Sequence, residues 1–146
     1  IYAFNNQSLF EGLKHLNNNN AQHEYYLTDL VEILKKLGKK VVAIPCDDWQ
    51  EVQGINGNVE LAHAAKYMQE RINTEWMKKG VTIYDPNTTY IGPNVTFGTD
   101  VIIHPNTYLY GDTVVEDYAE ILPSTWLEDT NVSKAETVGP FIRRKG

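Results

Sequence analysis

The stretch from Ile91 to Val132 reads, in blocks of six, IGPNVT, FGTDVI, IHPNTY, LYGDTV, VEDYAE, ILPSTW and LEDTNV. Each block opens with a bulky apolar residue. A period of six fits neither the 3.6-residue period of an α-helix nor the two-residue alternation of a hairpin strand. The repeat therefore predicts a parallel β-helix that winds as a triangular prism, with one block on each face.

Two positions of each block are predicted to face the axis of this prism. The opening residues stack on their equivalents one coil later, as Ile91 on Leu109 on Leu127 and Phe97 on Val115. The fifth residues lie inside the corners, where only small or β-branched side chains fit: Val95, Val101, Thr107, Thr113, Ala119, Thr125 and Asn131. The Gly, Pro, Asn and Asp residues between them suit corners. After Leu127 the register slips by one residue, to Val132 and Val138, and the stack needs a cap at each end.

The region before the repeat alternates predicted strands and helices. Ile1 to Phe4 reads as a strand, and Ser8 opens a helix through a capping box with Glu11. A second helix runs from about Asp29 to Leu37 and stops at Gly38. Val41 to Ile44 is a short apolar strand. This order is typical of the tail of an α/β domain.

A longer amphipathic helix is predicted from about Asn58 to Lys79, ended by Gly80. Its apolar residues recur every three or four positions: Leu61, Ala65, Met68, Ile72 and Trp76. We expect a stiff connector between the α/β part and the prism, packing one face on the domain behind it.

Composition limits the classes of function. The net charge of −6, without a basic block, argues against nucleic acid or an anionic membrane as a partner. No apolar run reaches the roughly 18 residues of a membrane span. Cys46 is the only cysteine, which excludes an intramolecular disulfide, and it is expected to be a small buried side chain. Because Ile1 has no Met before it and little follows the last block, we expect a piece of a longer protein.

Four segments then carry a family resemblance. NNNAQHEYYLTD (18–29), EVQGINGNVELAHAAKYMQERIN (51–73), GVTIYDPNTTYI (80–91) and VGPF (138–141) resemble, in this order, the bacterial bifunctional N-acetylglucosamine-1-phosphate uridyltransferase / glucosamine-1-phosphate N-acetyltransferase. The resemblance covers essentially the whole chain. It implies an α/β plus β architecture: residues 1–57 as the C-terminal end of a Rossmann-like nucleotidyltransferase domain, 58–80 as a linker helix, and 81–146 as the first coils of a left-handed parallel β-helix.

The resemblance also implies chemistry and partners. The family transfers uridyl from UTP to N-acetylglucosamine 1-phosphate with Mg²⁺, and acetyl from acetyl-CoA to glucosamine 1-phosphate. It implies a cytoplasmic homotrimer assembled through the β-helix. The family's catalytic residues lie outside this sequence, so no catalytic residue is assigned here, and the chain alone is expected to be inactive.

Binding residues are implied where the family's motifs match. Asn56, in Gly54-Ile55-Asn56, corresponds to a Mg²⁺ ligand, and an amide oxygen suits this hard cation. Glu24, Tyr26 and Thr28 correspond to residues along the sugar-nucleotide pocket. From chemistry alone, a turn residue is the favoured interpretation of Asn56, while Thr28 is interpreted as a helix cap and Tyr26 as a core aromatic. The chain departs from the family at His23, where the family has Gly, and this substitution is expected to crowd the loop.

The end of the sequence carries one further implied contact. The family follows GPF with an arginine that touches the sugar phosphate, and here either Arg143 or Arg144 is the match; we name Arg144. Between Leu109 and Leu127 the prism is about one coil shorter than the family pattern.

Two other functions remain open. One is a different sugar-1-phosphate nucleotidyltransferase with a β-helix tail, and the other is a non-catalytic β-helix that serves as a trimerisation scaffold.

Overall fold

The computed structural model describes residues 1–146, and the chain divides into two compact units, Ile1–Gln53 and Gly54–Gly146. The first unit contains helices and connecting loops. The second contains one long helix followed by eleven short strands. No helix is long and apolar enough to cross a membrane.

The first unit is built around two short helices. These are α1 (Asn6–Leu13) and α2 (Leu30–Lys36), with single 3₁₀ turns at Leu27–Asp29 and Trp49–Val52. α1 presents Gly12 to Leu30 and Leu34 of α2, and a Cβ at Gly12 would lie only 2.9 Å from the Leu30 Cδ2 atom. A larger residue would force the Leu30 side chain to shift, so the close approach of the two helices favours glycine at this position. A salt bridge of 2.7 Å between Lys39 and Glu11 joins their ends.

The two strands predicted in this unit are wrong. Neither Ile1–Phe4 nor Val41–Ile44 forms a strand, and Val42 and Ile44 are exposed. A strand exists only when a neighbour completes its hydrogen-bond ladder, and this unit holds no strand to pair with. Of the α/β architecture expected for residues 1–57, the first unit thus contains the helices and no strand.

Two local predictions are also corrected. The capping residue of α1 is Asn5 rather than Ser8, because the Asn5 side chain accepts a hydrogen bond from the Ser8 backbone N–H at 3.2 Å. Cys46 is exposed rather than buried, and its thiol lies 3.0 Å from the carbonyl oxygen of Asp48. The second helix agrees with its prediction to within one residue at each end.

The second unit confirms the predicted β-helix, of the left-handed hexapeptide class. Its strands form three parallel sheets that the chain visits in rotation. The first face holds β1 (Thr82–Ile83), β4 (Ile102–Ile103), β7 (Glu120–Ile121) and β10 (Thr137–Val138). The second holds β2 (Thr89–Ile91), β5 (Thr107–Tyr110), β8 (Trp126–Glu128) and β11 (Arg143–Lys145). The third holds β3 (Thr96–Phe97), β6 (Val114–Val115) and β9 (Asn131–Val132).

The stacking of the opening residues is confirmed. Ile91 pairs with Leu109 and Leu109 with Leu127, while Phe97 pairs with Val115. All are buried except Phe97, which is partly buried against the core. The core is thus a column of apolar side chains, each in contact with the coil before and after it.

The fifth residues are buried as predicted, with one exception. The threonines at this position remain compatible with the core because their hydroxyls donate to the corner carbonyl three residues earlier, at 2.8 Å for Thr107, 2.6 Å for Thr113 and 2.7 Å for Thr125. A buried hydroxyl with a partner avoids the penalty of desolvation. Asn131 is the exception: it is exposed, and the next residue, Val132, is buried at the opening position, where it pairs with Val115.

The predicted register slip explains this exception. Before it, equivalent residues are eighteen apart, as in Tyr108 and Trp126. After it they are seventeen apart, as in Val114 and Asn131. The coil that follows Leu127 is therefore one residue shorter, which moves Asn131 to an outward position.

The corners form ladders of residues with positive φ. Asp100, Tyr118 and Ala135 share one corner and Asn106, Ser124 and Phe141 another, while Gly111 and Asp129 share the third. The left-handed conformation costs a non-glycine residue roughly 1–2 kcal/mol. The geometry of the coil therefore imposes this conformation on residues of several types, beyond the Asn, Asp and Gly that the sequence suggested.

The long helix α3 (Asn58–Lys78) is confirmed, and Gly80 follows it with φ 98°. The apolar stripe predicted for this helix is confirmed only at its C-terminal end. Ile72 and Trp76 pack on the core, but Leu61 and Met68 are about half exposed. The fully covered positions are polar, Gln69 and Asn73.

These two polar residues cap the first coil of the β-helix. Within the stack, the carbonyl of Thr125 accepts a hydrogen bond from Tyr108 of the coil before it. The equivalent carbonyl of Thr89 has no earlier coil, and the amide groups of Gln69 and Asn73 donate to it at 2.7 and 2.9 Å. Both also donate to the carbonyl of Pro86. The contacts of α3 seen within this unit are thus with the β-helix that follows it.

Candidate functional site

Three of the predicted binding residues lie on one loop of the first unit. The Asn20 side chain organises this loop: its oxygen accepts from the backbone N–H groups of Gln22 and Glu24, and its NH₂ group donates to the Glu24 carbonyl at 2.6 Å. The Glu24 side chain is exposed. The Tyr26 hydroxyl donates to the Gln22 side chain at 3.0 Å, and Thr28 is exposed in the turn that precedes α2. The loop thus presents a carboxylate from the part of its backbone that Asn20 holds, and two hydroxyls from the residues that follow.

His23 occupies a special backbone conformation in this loop. Its φ is 55°, in the left-handed region. Glycine adopts this region without cost, whereas a histidine does so at a cost of roughly 1–2 kcal/mol. Glycine would therefore suit this position better than histidine on backbone grounds. The His23 side chain itself is exposed, and the expected crowding of the loop stays a prediction.

Asn56 lies in the second unit, in the loop before α3. Its side chain is exposed and free of protein hydrogen bonds, so its amide oxygen is available to a ligand. No group of three or more His, Cys, Asp or Glu side chains is placed to hold a metal ion. An exposed amide oxygen without a protein partner is chemically suited to act as one oxygen ligand of Mg²⁺.

The two arginines near the end of the sequence have different surroundings. Arg144 occupies the inward register position beside Leu127 and donates to the Glu136 carboxylate at 3.3 Å. Arg143 faces outward, and its guanidinium lies 4.5 Å from the centre of the Trp126 ring. No carboxylate pairs with Arg143. Of the two, Arg143 has the charge that is free to meet an anion, whereas Arg144 is held by Glu136.

An aromatic ladder runs along the second face of the β-helix and ends at Arg143. The rings of Tyr90 and Tyr108 stack in parallel with centres 5.1 Å apart, and Trp126 follows Tyr108 in register. Tyr110 lies beside Trp126 on the neighbouring corner. Burial raises the pKa of Tyr110, and the nearby phenols of Tyr108 and Tyr90 add to the rise. The eighteen-residue spacing of these aromatics was visible in the sequence, where they end successive coils of the repeat.

Beside this ladder lies a groove of about 600 Å³. Its lining comes from β5, β8, β11 and the adjoining corner: Asn106, Tyr108, Ser124, Thr125, Trp126 and Arg143. Sequence reasoning did not assign this groove, because the pattern that identifies the core says nothing about which outward side chains meet.

A histidine and a glutamate form a pair on the first face. The His104 Nε2 atom lies 2.7 Å from the Glu120 carboxylate, and the Tyr84 ring packs against the imidazole edge. No hydroxyl or thiol nucleophile is bonded to this pair. The contact therefore joins two neighbouring coils.

Comparison with known proteins finds relatives that all carry the same description. No family model matches the chain. It is 42% identical over 137 residues to the bifunctional protein GlmU of Halalkalibacterium halodurans, which covers 94% of this chain and 30% of the relative. It is 42% identical to that of Clostridium tetani (97% and 34%) and 44% identical to that of Corynebacterium aurimucosum (94% and 28%). The chain thus spans about a third of the length of these relatives.

The alignment with the Clostridium tetani protein bears on the length of the prism. It extends over 157 residues, more than the 146 of this chain. The relative therefore contains residues without a counterpart here, whereas the alignment with the Halalkalibacterium halodurans protein spans 137 residues and 94% of this chain and so contains no insertion of that size. The expected loss of about one coil stays a prediction.

Proposed function

This chain is homologous to the bifunctional GlmU proteins over a segment of about a third of their length, and from this we propose that it is the corresponding segment of an enzyme of UDP-N-acetylglucosamine biosynthesis. The observation that carries the proposal is identity above 40% along a chain that joins helices, the connector α3 and the β-helix in one order. The proposed parts are residues 1–57 from the uridyltransferase domain, 58–80 as the linker and 81–146 from the acetyltransferase domain.

The proposed reactions are uridyl transfer from UTP to N-acetylglucosamine 1-phosphate and acetyl transfer from acetyl-CoA to glucosamine 1-phosphate. In the first, Glu24, Tyr26 and Thr28 would contact the sugar nucleotide. The Asn20 bonds to the backbone of Glu24 support this role for Glu24, because oriented groups bind without losing much conformational entropy. We propose that this chain alone is inactive, since it supplies only part of either site.

Asn56 is proposed to supply one ligand to Mg²⁺. The metal would neutralise charge on the triphosphate, and its remaining ligands would come from the substrate and from outside this chain. The free side chain of Asn56 supports this role. Assembly as a cytoplasmic homotrimer through the β-helix is part of the same proposal, supported by the relationship to GlmU.

The proposal is tested with a chimera in which this chain replaces the matching segment of the Halalkalibacterium halodurans protein. We expect both activities, measured separately, and a loss of uridyl transfer of at least about tenfold in Asn56→Ala, with a higher Mg²⁺ requirement. Acetyl transfer should stay unchanged in this variant.

Asn58→Ala is the matched control, since it removes a similar exposed amide two residues away. A folded chimera without uridyl transfer would refute the proposed function. An Asn56→Ala chimera with an unchanged Mg²⁺ requirement would instead refute the role of Asn56 alone.

A further inference from the structure

Asn56 is the only asparagine in the sequence that is followed by a glycine. In such a pair, the side-chain amide carbon of the asparagine can close a ring with the backbone nitrogen of the next residue. Glycine leaves that nitrogen accessible because it has no Cβ, and it allows backbone conformations that other residues avoid. The pair Asn56–Gly57 therefore has the composition that favours a cyclic imide.

The structure leaves this pair unrestrained. The Asn56 side chain is exposed and makes no hydrogen bond. None of the backbone N–H groups from Gly54 to Gly57 donates a hydrogen bond, and the Gly57 carbonyl alone is bound, by the N–H of Leu61 in α3. The Asn56 side chain can therefore approach the Gly57 nitrogen without breaking any hydrogen bond.

The other asparagines lack this combination. The Asn20 side chain is held by three hydrogen bonds, and Asn73 is fully buried. Asn58 is also exposed, but it lies in α3 and precedes the β-branched Val59. The branched side chain hinders approach to the attacking nitrogen, and the helix fixes the backbone. Asn56 thus combines exposure, a free backbone and a glycine neighbour.

We propose that Asn56 is a site of spontaneous deamidation. The Gly57 nitrogen attacks the Asn56 Cγ atom and loses its proton to a base in solution. A new C–N bond forms, and the bond from Cγ to Nδ2 breaks and releases ammonia. Water then opens the cyclic imide at either carbonyl, which gives aspartate or isoaspartate. The net reaction consumes one water and converts the amide into a carboxylate, with ammonium as the other product.

The products change both the charge and the backbone at this position. A neutral amide oxygen becomes a carboxylate, whose negative charge hard cations favour. In isoaspartate the main chain also runs through the side-chain carbons, which lengthens the loop directly before α3. The modification itself rests on this loop alone, whereas any effect on Mg²⁺ rests on the function proposed above.

The test incubates the 146-residue chain at mildly alkaline pH for several weeks. Peptide fragmentation locates the increase in mass, and an isoaspartyl methyltransferase measures the isoaspartate. We expect conversion at Asn56 at least about tenfold faster than at Asn58, the internal control in the same digest. The rate should rise with pH, because a base must remove the proton of the attacking nitrogen. An unmodified Asn56, or equal rates at Asn56 and Asn58, would overturn the proposal.

Gly57→Ala is the matched variant. The φ of Gly57 is −160°, which any residue adopts, and an added Cβ would lie 3.1 Å from the flexible end of the Glu60 side chain. The methyl group hinders ring closure, so conversion at Asn56 should fall at least about tenfold. Gly54→Ala adds the same group two residues earlier and should change the rate less than about twofold. Conversion of Gly57→Ala at the wild-type rate would refute the mechanism, and the amide spectrum of each variant shows whether it is folded.

Discussion

The cap formed by Gln69 and Asn73 yields a prediction about cooperation between two side chains. Each donates to the carbonyls of Pro86 and Thr89, so each still serves these groups when the other is removed. In Asn73→Ala, both carbonyls keep the Gln69 bond. Since the Asn73 side-chain oxygen has no hydrogen-bond partner, removing it breaks no hydrogen bond. We expect a loss of about 1 kcal/mol in the free energy of unfolding.

Gln69→Ala removes two additional bonds, one to the Asn87 carbonyl at 3.1 Å and one from the Lys66 ammonium at 3.5 Å. Because Asn87 is exposed and the Lys66 ammonium reaches solvent, water replaces these bonds, and the expected loss is about 1–2 kcal/mol. In the double variant, by contrast, the buried Thr89 carbonyl loses the amide donors of both Gln69 and Asn73. An orphaned buried carbonyl costs about 1–3 kcal/mol. The double variant should therefore lose about 1–3 kcal/mol more than the sum of the single losses.

The assay is urea unfolding followed through the amide signals of Ile91 and Leu109, which report on the second unit. Lys78→Ala serves as the control, since Lys78 is exposed on the same helix and its side chain makes no hydrogen bond or salt bridge. It should change stability by less than about 0.5 kcal/mol. If the loss in the double variant equals the sum of the two single losses to within about 0.3–0.5 kcal/mol, the shared cap is refuted.

Two further predictions concern the interior and the ladder of the β-helix. Thr113→Val should cost about 2 kcal/mol and Thr107→Val about 1 kcal/mol in urea unfolding, because Thr113 also accepts a bond from the Thr130 N–H; equal losses would contradict this reasoning. The pKa of Tyr110 is raised in the folded state. Its stabilising contribution is therefore complete below the unfolded-state pKa of about 10 and is lost as pH rises through the folded-state pKa. Tyr110→Phe should therefore lose less stability than the wild type between about pH 9 and about pH 11, and parallel pH curves would count against it.

The β-helix was predictable because one residue period maps directly onto its geometry. Burial of Leu109 or Thr113 follows from position in a block, and even the slip at Val132 was visible. The first unit gave no such signal. Val41 to Ile44 has the composition of a strand, but strand formation depends on a partner that local sequence does not reveal.

The polar features escaped prediction for a different reason. A search for apolar periodicity selects Leu61 and Met68 on α3, whereas the surface that meets the first coil presents carbonyls and requires amides. The donors of the groove, such as Asn106 and Arg143, come together only when coils stack. The predicted residues Glu24, Tyr26, Thr28 and Asn56 came from family resemblance, and their role in binding stays a prediction.

The amide cap has a consequence for how this architecture changes in evolution. Only α3 donates the side-chain hydrogen bonds that cap the carbonyls of the first coil. Coils farther along the prism therefore play no part in capping that end. A coil is therefore a unit that can be gained or lost downstream while the helix junction stays intact, provided that the three faces remain in step. The distance between whatever lies before α3 and whatever follows the prism is then set in discrete steps of one coil, about 4.8 Å each.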